Sequence, residues 1–187
     1  MSQFEFLTVA LSFVLGLAIT VLLSALITVF RNRGKTKISW LPLTWAAYIL
    51  VTEFEVWWEL YGLVATNSWS VWAFILLLLL ALFLFAAGSL VLPSGGEPYP
   101  EDLGTYFNED GKWGVGLIAA FQLTALVANI SLFDVPPLGL MNLWNLVAIA
   151  MIVTLVAAKQ RRLQIAVTTI YGIWVATYLI TFVPVGY

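Results

Sequence analysis

Residues 69–92 read WSVWAFILLLLLALFLFAAGSLVL, a stretch without a single charged side chain. A bilayer core about 30 Å thick takes roughly 20 helical residues at about 1.5 Å each, so this run is long enough to cross it. Composition extends the reading to the whole chain. Of 187 residues, 62% are hydrophobic, and only 8 Lys or Arg and 10 Asp or Glu carry a charge. An average soluble domain is about 25% charged; here the share is 10%. Charges this sparse cannot coat a water-soluble globule. The chain reads as an integral membrane protein of the all-α class.

Working outward, five further stretches qualify or nearly qualify: Phe6 to Phe30, Trp40 to Leu63, Trp113 to Phe133, Leu138 to Ala158 and Leu163 to Val183. In lipid each must satisfy its own backbone hydrogen bonds, which predicts six transmembrane helices in one domain over residues 1–187. The charges orient them. Arg31, Arg33, Lys35 and Lys37 follow span 1, Lys112 precedes span 4, and Lys159, Arg161 and Arg162 separate spans 5 and 6. All three connectors fall on one side, which the positive-inside rule makes cytoplasmic, with both termini outside. Trp40 and Trp113 then mark the inner interface, and Trp57, Trp58, Trp69 and Trp72 the outer one. The expected setting is a bacterial cytoplasmic membrane. Residues 93–112, PSGGEPYPEDLGTYFNEDGK, form the one long connector, a breaker-rich cytoplasmic loop. Its second half, Glu101 to Phe107, has the pattern of a short helix that would lay Leu103, Tyr106 and Phe107 on the inner membrane surface. A 3+3 arrangement of the spans is a further expectation.

The chain has no Cys and no His. That excludes disulfides, thiolate nucleophiles, Cys/His zinc sites, Ser-His-Asp triads and His-ligated haem. Every Lys sits in a polar connector, so a retinal Schiff base within a span is excluded too. No cofactor is expected, and a formal charge of −2 gives no sign of a nucleic-acid partner.

Helix faces carry the rest. Span 1 places Thr8, Ser12, Gly16, Thr20, Ser24 and Thr28 at every fourth position, a small-residue stripe that predicts close helix packing or a hydroxyl-lined path. Span 3, apolar all round, predicts lipid on most sides. Span 2 is different. WLPLTWAAYILVTEFEVWWELYGLV sets Thr44, Tyr48, Thr52, Glu55 and Glu59 within about 40° of one line. Measured from Trp40, Glu55 lies about 7 Å beyond the midplane and Glu59 near the outer headgroups. A carboxylate at the depth of Glu55 costs on the order of 3 kcal/mol and normally faces a cavity or a partner.

Glu53 points about 140° away from this stripe. It is left with protonation, a hydrogen bond to another helix, or burial at a subunit contact. Because no span carries a base, the partners open to these acids are hydroxyls, amides, water, a cation or a proton. Gln122 with Asn129, Asn142 with Asn145, and Tyr171 with Tyr178 supply such groups. The expected site is an outward-opening pocket of Glu55, Glu59, Glu53, Tyr48, Thr52, Asn129, Asn142, Asn145 and Tyr178. The competing reading has these groups satisfy one another and fix helix register.

The opening stretch Phe4-Glu-Phe-Leu-Thr-Val-Ala-Leu-Ser-Phe-Val-Leu-Gly-Leu-Ala-Ile-Thr20, the Trp57-Trp58 pair and Asp102-Leu103 with Tyr106-Phe107 resemble a family of bacterial six-helix integral membrane proteins with no assigned activity. That resemblance implies the same topology and draws Glu5 toward the outer face near Glu59. The function expected is a small transporter or channel for a cation, proton or small polar solute, working as a homo-oligomer in the lipid bilayer. The rival is a non-transporting sensor, a ligand- or lipid-binding module, or an accessory subunit. An intramembrane enzyme built on paired carboxylates is the least favoured class.

Overall fold

In lipid an extended apolar segment has no partner for its amides except its own carbonyls, and the chain answers with helices throughout. A computed structural model describes residues 3–62, 69–95 and 98–182. The described residues form six long helices and no strand: α1 (Gln3–Arg31), α2 (Trp40–Gly62), α3 (Val71–Val91), α4 (Leu103–Leu132), α5 (Leu140–Ala157) and α6 (Arg161–Phe182). Five of them are long and apolar enough to cross a membrane. The sixth, α2, carries the three glutamates and falls short of that apolar character.

Neighbour contacts run α1–α3–α4–α5–α6–α2 and back to α1, with α2 also touching α3. Helix α3 packs one face inward, its Leu76, Leu80, Leu84, Ala87 and Val91 buried against α1, α2 and α4, and leaves Val71, Trp72, Ile75, Leu79, Leu82 and Leu90 exposed on the other. The expectation of lipid on most sides is thereby narrowed to one face. Lipid tails are as apolar as leucine, so an all-apolar helix carries no record of whether its neighbours are protein or acyl chain. Where α3 meets α4, Gly114 makes the approach possible. A Cβ there would lie 2.7 Å from the Val91 amide nitrogen and 2.8 Å from the Ala87 carbonyl oxygen.

The stripe on α1 also differs from expectation. Leu7, Leu11, Leu15, Ala18, Leu22, Ala25 and Val29 form its buried face. Thr20 and Ser24 are exposed, and nothing approaches within 4 Å of a Cβ at Gly16. The Thr20 and Thr28 hydroxyls donate to Gly16 and Ser24 carbonyls of the preceding turn, which satisfies them within their own helix.

The expected 93–112 loop is half helix. Asp102 caps the new N-terminus, its Oδ1 accepting from Gly104 N at 2.6 Å and Thr105 N at 3.3 Å. A π-helical turn, Phe107–Gly111, then carries the backbone across Asn108-Glu109-Asp110 into the long apolar part of α4. A wide turn absorbs the polar, glycine-ending segment that reads as a breaker in the sequence. Leu103 and Phe107 are fully buried, in place of the expected membrane-surface position, while the Tyr106 hydroxyl donates to Leu90 O at 2.9 Å. Lys112 is likewise not in a connector. It is buried near the start of α4, and its Nζ donates to Ala158 O at 2.7 Å, placing a cation at the C-terminus of α5.

A clamp holds this end of the bundle. Lys37 N donates to Glu101 O at 2.7 Å, and Leu103 N returns a bond to Lys37 O at 3.1 Å. The Thr36 hydroxyl donates to Pro100 O, and Lys37 Nζ lies 3.4 Å from Asp102 Oδ2. The Gly104 amide, with those of Thr105 and the Lys37 ammonium, holds the Asp102 carboxyl below the usual aspartate range. A lowered value means that the folded clamp favours the ionised form. Its contribution is complete above the ordinary aspartate pKa and fades as pH falls through the lowered value. The protection factors of the Gly104 and Thr105 amides should therefore fall on acidification below about pH 4. In Asp102→Asn, whose amide oxygen still caps, that fall should disappear.

Candidate functional site

Polar groups gather toward the end of the bundle remote from the basic connectors. Helix α2 delivers Thr52, Glu55 and Glu59 on one face, because positions three and four apart lie over one another. Helix α4 brings Gln122 and Asn129, α5 brings Trp144 and Asn145, and α6 brings Tyr171, Trp174 and Tyr178. Together they line a cavity of about 90 Å³ between α2, α4, α5 and α6. No basic residue lines it.

The Tyr178 hydroxyl donates to Glu59 Oε1 at 3.2 Å and also reaches the Glu55 carboxylate. One phenol thus bridges two acids a helical turn apart. Glu55 is half-buried, Glu59 exposed. Tyr171 is hydrogen-bonded to Gln122 lower in the cavity. Asn145 is only 8% exposed, and its side-chain amide lies on the cavity wall without a hydrogen-bond partner among the described residues. Trp144 and Trp174 stack with ring centroids 3.7 Å apart on the same wall.

Below the cavity, α2 and α6 close on each other. Trp45 Nε1 donates to Thr168 Oγ1 at 3.0 Å, and the Tyr48 hydroxyl donates to Thr168 O at 3.2 Å. Gly172 admits the Tyr48 ring, since a Cβ there would collide with the Tyr48 hydroxyl. Trp45 packs on Tyr171 with centroids 4.7 Å apart. With Trp45 and Thr168 fully buried, this seam packs α2 on α6 on the side of the cavity nearer the basic connectors.

The structure therefore brings six of the expected site residues into one lining: Thr52, Glu55, Glu59, Asn129, Asn145 and Tyr178. Three lie elsewhere. Tyr48 belongs to the seam. Asn142, fully buried, accepts from Asn129 Nδ2 at 3.2 Å and donates to Pro136 O at 2.9 Å, fastening the α4–α5 turn. Glu53 is fully buried on the opposite side of α2, where its Oε1 would lie 3.5 Å from a Cβ at Gly88 of α3. That burial within one chain removes the subunit contact expected for it. Both Glu53 oxygens lack a hydrogen-bond partner among the described residues. Trp144 and Trp174 escape the sequence reading because tryptophan in a membrane helix ordinarily signals the interface.

No family model matches the sequence, and neither a curated protein nor a solved structure is significantly similar to it. Among the described residues no group of three or more His, Cys, Asp or Glu is placed to hold a metal ion. What the site can do follows from its own groups. Two carboxylates, a shared phenol, carboxamides and an indole wall make an enclosure of acceptors and π-faces, suited to a proton, a cation or a hydrogen-bonding solute.

Proposed function

We propose that this protein is a small transporter of a cation, proton or small polar solute, with the Glu55–Glu59 cavity as its outward-facing site. The observation that carries the reading is the junction of two carboxylates and the Asn145 side chain in one cavity with no base on its wall. Intramembrane acids in such a setting serve ion and proton pathways by default. The aromatic seam beneath favours a transporter closed on its inner side over an open channel. In this reading the basic connectors are cytoplasmic, both termini are outside, the spans divide three and three, and copies associate in a bacterial cytoplasmic membrane.

The same seam favours one second reading, a non-transporting receptor or sensor, because a one-sided pocket needs only to bind. Flux of protons and alkali cations into proteoliposomes separates the two. Transport predicts flux above that of empty liposomes which falls to background in Glu55→Gln and persists in Thr44→Ala, outside the lining. Wild-type protein with no flux across these ions, yet with Glu55-dependent cation binding, selects the receptor. Flux unchanged by Glu55→Gln overturns the assignment of the site.

A further inference from the structure

Beside the acidic cavity lies a second, larger and partly open one of about 310 Å³, bounded by α2, α3, α4, the α4–α5 turn and the start of α5. The two share Val56, Glu59, Phe121, Ala125, Asn129 and Met141 in their walls. Beyond those shared residues the larger chamber is apolar, with Leu77 and Leu80 of α3, Ala128 of α4 and Val135 of the turn. A cavity of about 150 Å³ lined by aliphatic and aromatic side chains already accepts a benzene ring. This one is twice that size and has a carboxylate, Glu59, in its wall.

We propose that the site takes an amphiphilic organic cation, an ammonium carrying an apolar ring or short chain, with the charge in the acidic cavity and the apolar group in the adjoining chamber. The proposal rests on the reading of the Glu55–Glu59 cavity as a ligand site and narrows its ligand class. Charge decides the head group. Glu55 and Glu59 are acidic, no base lines either cavity, and the Asn145 amide adds a carbonyl acceptor. Trp144, Trp174 and Tyr178 on the same wall offer π-faces of the kind that recognise alkylated ammonium groups. An inorganic cation uses the first cavity and leaves the second without purpose; a neutral apolar molecule uses the second and ignores the carboxylates. An amphiphilic cation uses both.

Protein reconstituted in nanodiscs, titrated with benzyltrimethylammonium, tetramethylammonium and benzyl alcohol, tests this by tryptophan fluorescence and calorimetry against empty nanodiscs. Benzyltrimethylammonium should bind at least about tenfold more tightly than tetramethylammonium, as expected for burying one ring. Glu59→Gln, at an exposed position, should weaken both cations and leave benzyl alcohol unchanged. Ala128→Phe, which fills the chamber from a wall the acidic cavity does not share, should bring benzyltrimethylammonium down to the level of tetramethylammonium. Val135→Phe, in the turn, makes the same test without touching a helix core. Equal affinity of the two cations in wild type overturns the proposal while the acidic site stands. Benzyl alcohol binding as tightly as benzyltrimethylammonium overturns it as well. Selectivity unchanged in both filling variants overturns the placement of the ring. No binding of either cation rejects the ligand class, and the ion-flux measurement then decides on the acidic site separately.

Discussion

Gly114→Ala should destabilise the protein by about 1–3 kcal/mol, although alanine is the better helix former by about 1 kcal/mol. The cause is the α3 backbone. An added methyl at Gly114 meets the Val91 amide nitrogen at 2.7 Å, the Ala87 carbonyl oxygen at 2.8 Å and Val91 Cα at 3.1 Å. None of these is the far end of a flexible side chain, so relief requires the two helices to part. Parting them loosens the contact around buried Leu84, Val91 and Val115. The control lies two residues on. Gly116 has nothing within 4 Å of a Cβ, so Gly116→Ala should be neutral or mildly stabilising. Reversible unfolding in mixed micelles, followed by circular dichroism, reads both. Equal effects at the two positions would show that helix propensity, not close approach, governs α4. Gly114→Leu extends the same clash and should leave no monodisperse folded protein.

Glu53→Met should stabilise the fold by roughly 1–3 kcal/mol, the scale of removing a buried polar group that lacks a hydrogen bond. The carboxylate is fully buried beside Gly88, and neither oxygen has a partner among the described residues. Methionine has nearly the same length, adapts its rotamers and brings no polar atom. Glu53→Gln keeps the orphaned polarity and should gain little of this. A loss of stability in Glu53→Met would show that the carboxyl is hydrogen-bonded in the membrane. Stability gained together with flux lost would place Glu53 among residues kept for activity at the expense of stability.

Most helices were legible because a run such as residues 71–91 has only one way to satisfy its backbone in lipid. The first turn of α4 falls within the short helix read over Glu101 to Phe107, but its continuation into the span was not legible, since Asn108-Glu109-Asp110-Gly111 has loop composition and only the π-helical turn keeps it helical. Helical periodicity grouped Thr52, Glu55 and Glu59, because the face of a helix is an internal property. It could not say which helix that face meets. Tyr48 lies on the same line yet is taken by Thr168 of α6, and Asn142 is taken by its own turn. Glu53 reads off the stripe by its angle, but its neighbours on α1 and α3 are visible only once the bundle is assembled. The apolar chamber could not be read at all, for it is bounded by residues of four helices and a turn, each ordinary in its own sequence.

The way α2 is finished has a consequence for how the protein is made. Glu55 and Glu59 find Tyr178, and Trp45 and Tyr48 find Thr168, on the last helix, well over a hundred residues downstream. During synthesis α2 must therefore wait, with two carboxylates, for partners still inside the ribosome. It is also the helix that falls short of the apolar character of the other five. Stable insertion of α2 should thus depend on the arrival of α6. A nascent chain halted before residue 161 should hold α2 loosely at the insertion machinery, and one extended past residue 182 should lock it into the bilayer.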